Sequence, residues 1–133
     1  MDTGKSALGL DGNLAAALGY PIGIIAIICL IMEKENRFVK FHALQSILLH
    51  VAFIIVAIAV WIITIILAIA GFAASAATNS GALGGLFSML FGLIWLVVIA
   101  AYIGGLIYAA VKAYGGDKLM LPIVGAMADK WTQ

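Results

Sequence analysis

The feature that most constrains this chain is a long segment without formal charge. Residues 41–111 contain no Asp, Glu, Lys or Arg. A helix rises about 1.5 Å per residue and the hydrocarbon core of a bilayer is about 30 Å thick, so this segment is too long for one crossing. Small and polar residues replace Ile, Leu and Val over residues 71–81, as expected for a turn. The segment therefore predicts two membrane-spanning helices, at about 47–71 and 84–111.

The composition supports a membrane location. Hydrophobic residues make up 65% of the chain and charged residues 10%, against about 45–50% and about 25% in a soluble domain. A small domain has too little interior to bury so much apolar surface, so the predicted partner is the lipid bilayer. The net charge of +1 says little about partners. No basic patch is large enough to suggest nucleic-acid binding as the main role. The single cysteine, Cys29, excludes a disulfide within the chain.

A third apolar run, at about 14–32, predicts a further crossing with Pro21 early in it. The fold class is therefore all-α integral membrane, with three transmembrane helices, an amphipathic interfacial segment at 33–46 and a short interfacial helix in the tail at 117–131. Basic residues before the second span and after the third are typical of cytoplasmic segments; they are Lys34, Arg37, Lys40, Lys112, Lys118 and Lys130. This pattern predicts the cell (cytoplasmic) membrane, with the N-terminus outside and the C-terminus inside.

The polar segment 33–46 is the candidate functional part of the chain. At about 100° per residue its helical continuation places polar side chains on one stripe; these are Glu35, His42, Ser46 and His50, with Gln45 at the edge. Polar residues below the headgroups must face protein or water. The stripe could line a conduit, form a proton-linked site or a docking groove, or simply make interhelical hydrogen bonds worth about 0.6–2 kcal/mol each.

No metal or cofactor site is predicted. His42 and His50 are separated by about 12 Å along a helix, too far to share one ion. The sequence also lacks a nucleophile elbow, a Walker loop and paired membrane carboxylates. A membrane enzyme that uses either histidine as an acid or base is the weakest of the hypotheses.

The predicted span at about 84–111 carries small residues every four positions, which allow close approach of two helix backbones. The predicted packing residues are Gly84, Ser88, Gly92, Ala101, Gly105 and Ala109, beside a further pair, Gly81 and Gly85. The partner helix could belong to the same chain or to another copy. A homo-oligomer or a larger membrane complex is the expectation.

The run from Glu33 to Ser46, with Leu18-Gly19-Tyr20 before it and Val111-Lys112-Ala113-Tyr114 and Pro122-Ile123 after it, resembles a small bacterial and archaeal membrane-protein family. That family is similar to the Tic-twenty-like proteins of the chloroplast inner envelope, which are implicated in protein translocation, and to the MamF-like magnetosome membrane proteins. The resemblance supplies no catalytic residue. It marks these positions for test: Arg37, Phe38, Phe41, His42, Gln45 and Ser46.

Together these observations predict a non-enzymatic membrane protein. Its expected role is a self-associating scaffold or a conduit component of the Tic-twenty-like family. The alternative is an accessory subunit that docks on a transporter, translocase or insertase through residues 33–46.

Overall fold

The computed structural model describes residues 3–132. Over these residues the chain forms five α-helices and no strand, which confirms the all-α prediction. The helices are α1 (Gly12–Gly19), α2 (Gly23–Met32), α3 (Arg37–Thr78), α4 (Gly81–Tyr114) and α5 (Val124–Trp131). In this described part, α3 and α4 are the two helices long and apolar enough to cross a membrane.

The predicted first span at 14–32 is wrong. It is divided into α1, with 8 residues, and α2, with 10 residues, which are about 12 and 15 Å long and fall short of a crossing. Pro21 explains the break, because it has no amide hydrogen and its ring clashes with the preceding helical turn. Ile22 follows in a non-helical conformation, with φ −120° and ψ 81°. The described residues therefore contain two candidate crossings and not three.

Helices α1 and α2 form an antiparallel hairpin. Near its tip, a Cβ atom on Gly19 would lie 3.4 Å from the Cβ of Ala26. At its open end, the Asn36 side chain donates a hydrogen bond to the Thr3 carbonyl at 2.7 Å. The residues before α1 and after α2 thus lie together, so the hairpin begins and ends at the same level.

The polar segment and the two spans also differ in their limits from the prediction. Helix α3 begins at Arg37 and continues without interruption to Thr78, so the predicted loop at 71–81 is reduced to Asn79 and Ser80. The small residues of that stretch remain helical: the Thr78 hydroxyl donates to the Ala74 carbonyl at 2.8 Å. Asn79 then adopts a left-handed conformation, φ 50°, which ends the helix. In the tail, α5 covers only the second half of the predicted segment 117–131.

The described chain divides into two compact units. The apolar unit is Phe53–Tyr102, the facing parts of α3 and α4 with their connection. The polar unit is the rest of the described chain and holds the α1–α2 hairpin, the start of α3, the end of α4 and the tail.

Each unit has its own packing. In the apolar unit the rings of Phe53 and Tyr102 stack with centroids 3.8 Å apart, and most large side chains point outward, as in Ile66, which is 61% exposed. An outward apolar surface of this kind suits contact with lipid. In the polar unit one buried cluster is built from small and medium-sized residues. It consists of Ala15, Ala26, Cys29, Val39 and Ala43.

Candidate functional site: a buried polar cluster

The polar stripe of α3 meets the tip of the hairpin in the interior of the polar unit. His42, Gln45 and Ser46 are each 0% exposed, and so is Tyr20, the residue that follows α1. Buried polar groups are costly unless they are hydrogen-bonded. Three of these side chains, Tyr20, His42 and Gln45, bond to one another, and Ser46 bonds to the backbone of the hairpin.

Tyr20, His42 and Gln45 form a chain of hydrogen bonds. The Gln45 Nε2 group donates to the Tyr20 hydroxyl oxygen at 2.7 Å, and the Tyr20 hydroxyl lies 2.9 Å from His42 Nδ1. An amide nitrogen can only donate, so the hydroxyl proton of Tyr20 is directed at His42 Nδ1. We therefore assign Nδ1 of His42 as the acceptor in a neutral ring, with the proton on Nε2, which is buried beside the backbone of Asp117.

Ser46 and His50 hold the hairpin tip. The Ser46 hydroxyl donates to the carbonyl of Gly19 at 2.8 Å, which satisfies one of the free carbonyls at the end of α1. His50 Nδ1 lies 2.8 Å from the Ser46 carbonyl and can only donate to it. This bond places the His50 ring beside the start of α2, where a Cβ atom on Gly23 would lie 3.6 Å from Nε2.

Gln45 also holds the tail. Its Nε2 group donates to the Leu119 carbonyl at 3.0 Å, and its Oε1 atom accepts from the Leu121 amide at 3.1 Å. The backbone of α5 approaches closely here, since a Cβ atom on Gly125 would lie 2.7 Å from Gln45 Oε1. One side chain of α3 thus connects the hairpin and the tail, with both donors and the acceptor oxygen of its amide in use.

Aromatic rings enclose the cluster. The His42 ring makes edge contacts with Phe38 and Phe41, at centroid distances of 4.5 and 5.0 Å. The Phe41 ring in turn lies under the Lys118 ammonium group, 4.8 Å from its centroid, a favourable cation–π geometry. These contacts exclude water from His42. Between residues 3 and 132 no group of His, Cys, Asp and Glu side chains has the geometry to hold a metal ion.

Residues 7–128 match the model of the magnetosome magnetite crystal formation protein family, MamF/MmsF. The chain belongs to this family. It is 36% identical to a UPF0132 membrane protein of Methanocaldococcus jannaschii over 98% of this chain and 96% of that protein. A second UPF0132 membrane protein of that organism is 32% identical, over 94% of this chain and 73% of its own length. One from Archaeoglobus fulgidus is 33% identical, over 89% and 92%. No solved structure matches.

These relatives confirm the predicted resemblance to MamF-like proteins and the membrane location. The matched range includes the whole polar cluster and most of α5. The relation to the Tic-twenty-like proteins stays a prediction.

The remaining predicted residues of this MamF/MmsF-family chain lie in different settings. In the segment 33–46, Arg37 is exposed, Phe38 is half-buried and Phe41 is 0% exposed. Phe41 therefore belongs to the buried cluster, whereas Arg37 faces outward. The prediction that these positions form one interaction site stays a prediction.

The six predicted packing residues are divided between the two units. In the apolar unit a Cβ atom on Gly84 would meet the Ser75 hydroxyl at 3.0 Å, whereas Ser88, Gly92 and Ala101 are exposed. In the polar unit nothing lies within 4 Å of a Cβ atom on Gly105. Ala109 is 0% exposed and packs with Ala16, Tyr20 and Ala113.

Sequence reasoning missed Tyr20 and Gly125 as members of the cluster. Tyr20 is the only large polar side chain at the hairpin tip, directly before Pro21, and a polar ring in an apolar run beside a helix-breaking residue is a usable signal. The tail contributes through the backbone of Leu119 and Leu121. Because backbone groups are the same in every residue type, the side chains there do not predict this contact.

Proposed function

We propose that this protein is a non-enzymatic membrane scaffold that associates with further copies of itself through α4. The observation that carries the proposal is an open row of small residues on the outer side of α4 in the apolar unit. Gly81, Gly85 and Gly92 have no atom within 4 Å of a Cβ position, and Ser88 between them is exposed. At about 100° per residue these four positions share one face, and small residues so spaced allow two helices to approach closely.

The polar cluster supports a scaffold over a conduit. A conduit through one chain needs a water-accessible stripe, whereas His42, Gln45 and Ser46 are fully buried and bonded to the hairpin and tail. Their hydrogen bonds stabilise the fold of the polar unit. The same burial argues against an acid or base role for His42, because a substrate would have to displace Phe38 and Phe41.

The alternative, an accessory subunit that docks through residues 33–46, is favoured by a different observation. Lys34, Glu35 and Arg37 are exposed on the polar unit, so a partner protein could reach this part of the segment. A docking partner would co-purify in fixed stoichiometry.

We also propose that both termini lie on the cytoplasmic side. The predicted outside location of the N-terminus depended on three crossings, and the structure has two candidate helices. The Asn13 side chain donates to the Tyr114 carbonyl at 2.9 Å, so the start of α1 and the end of α4 lie at one level. We infer that the α1–α2 hairpin enters the membrane and returns, with exposed Ile24 and Ile31 facing lipid.

Cysteine labelling in intact cells tests the topology. A membrane-impermeant thiol reagent is expected to label Ser80→Cys from outside, and to label Lys5→Cys and Lys118→Cys only after permeabilisation. Cys29→Ala provides the cysteine-free background. Labelling of Lys5→Cys from outside would restore the three-crossing topology.

Self-association is tested by mass measurement and cross-linking in nanodiscs and native membranes. Gly85→Leu fills the open row and is expected to weaken association by about tenfold or more, because it separates the two helix backbones. Gly104→Leu is the matched control: it makes the same change on α4 at another open position, about 100° from Gly85 around the helix. A monomeric wild-type protein, or equal losses in the two variants, would refute the proposal. A stoichiometric second protein would establish the accessory-subunit alternative.

A further inference from the structure

The α2–α3 connection and the start of α3 carry basic side chains that form no salt bridge with a carboxylate of the described residues. Lys34, Arg37 and Lys40 make no salt bridge with any acidic residue within 3–132. Three other lysines of the polar unit are each paired with an aspartate: Lys5 with Asp11, Lys112 with Asp117, and Lys118 with Asp129. Of the four cations that make no salt bridge within 3–132, three are therefore grouped in one segment, and the fourth is Lys130 in α5. We call Lys34, Arg37 and Lys40 the basic rim.

Glu33, next to Lys34 in sequence, makes no salt bridge with the rim and is occupied by backbone amides. Glu33 is only 5% exposed, and its two oxygens accept hydrogen bonds from the amides of Ala7 at 2.7 Å and Asn36 at 3.1 Å. Its charge is thus used to fix the loop between α2 and α3. Glu35, the other acidic residue of the segment, is exposed and makes no ion pair with the rim.

The rim borders a pocket and stands at the edge of the charge-free segment. A pocket of about 670 Å³ lies between the N-terminal loop and the α2–α3 connection. Its wall includes Lys34 and Arg37 of the rim and also the carboxylates of Glu33 and Glu35. Lys40 is the last charged residue before residues 41–111, which places it at the headgroup level of a bilayer. A negatively charged group at this level is the phosphate of a lipid.

We propose that the basic rim binds the phosphate headgroups of anionic membrane lipids. Arg37 and the two lysines supply several donors and a positive charge at headgroup depth, where each basic residue adds measurably to the attraction. Because the rim charges form no salt bridge within residues 3–132, lipid binding breaks no ion pair of this described part. The proposal does not depend on the scaffold role.

Native mass spectrometry of the full chain with added phosphatidylglycerol or phosphatidylcholine provides the test. The wild-type protein is expected to prefer phosphatidylglycerol. Replacement of the rim, Lys34→Gln with Arg37→Gln and Lys40→Gln, should lower the affinity for phosphatidylglycerol by about tenfold or more and leave phosphatidylcholine binding unchanged. A charge-preserving variant, Lys34→Arg with Arg37→Lys and Lys40→Arg, should keep the preference and shows that the segment still folds.

The matched control removes the same charge from the paired lysines, by Lys5→Gln with Lys112→Gln and Lys118→Gln. We expect its affinity for phosphatidylglycerol to stay within about twofold of the wild type, since these ammonium groups are already occupied. Equal losses in the two triple variants would mean that total charge alone attracts the lipid, and would overturn the proposal. Displacement of phosphatidylglycerol by millimolar inorganic phosphate would also overturn it, in favour of a site for soluble phosphate.

Discussion

The polar and apolar units use the same two helices in opposite ways. In the polar unit, side chains of α3 make hydrogen bonds to segments distant in sequence, as Gln45 does to Tyr20 and Leu119. In the apolar unit, the hydroxyl groups of Thr64, Thr78 and Ser88 bond to carbonyls of their own helix. The difference teaches that the polar side chains of α3 specify tertiary structure where they hold the short α1–α2 hairpin and the tail against this long helix.

Gln45→Ala is expected to have the largest effect on this contrast. It removes three hydrogen bonds that join α3 to the hairpin and the tail, and it leaves the amide of the half-buried Leu121 without that partner. At about 1 kcal/mol per bond the loss is about 3 kcal/mol in the free energy of unfolding. Unfolding by SDS titration in mixed micelles measures it, and limited proteolysis is expected to cut the released tail first. An unchanged transition with a protected tail would show that Gln45 does not hold the polar unit together.

Gly125→Ala should have the next largest effect, by crowding the same junction. The added methyl group would lie 2.7 Å from Gln45 Oε1 and from the Met120 backbone, so α5 must shift, at a cost of about 1–3 kcal/mol. Gly81→Ala is the control in the apolar unit, since nothing lies within 4 Å of its Cβ position. Comparable losses from both substitutions, in the same titration, would contradict the tight docking of the tail.

Thr64→Ala should have the smallest effect, although Thr64 is only 2% exposed. Its hydroxyl bonds to carbonyls that already take part in the α3 helix, so its removal leaves no group unsatisfied. We expect a change below about 0.5 kcal/mol in the free energy of unfolding. A loss as large as that of Gln45→Ala would show that the apolar unit also depends on a specific polar contact.

Part of the fold could be read from local pattern, and part could not. The α-helical membrane character follows from residues 41–111 alone, and the stripe of His42, Ser46 and His50 follows from helical period. The helix limits were less accurate, because Ala, Ser and Thr of residues 73–78 are compatible with both a loop and a helix in an apolar environment. The predicted number of crossings was wrong because the apolar content of residues 14–32 indicated one spanning helix, whereas Pro21 divides that run into two short helices.

The sequence by itself determined that this protein lies in a lipid environment and that it has two long helices. Charge and the length of an apolar run are properties of the chain alone and do not depend on tertiary contacts. The sequence also determined where the first apolar run is interrupted, since proline removes a helical hydrogen bond wherever it stands. Only the tertiary structure decided that the broken run turns back as a hairpin, and that Gln45 bonds to Tyr20 on one side and to the tail on the other. The physical reason is that these bonds join groups far apart in sequence, and a buried polar side chain does not reveal which distant donor or acceptor will satisfy it.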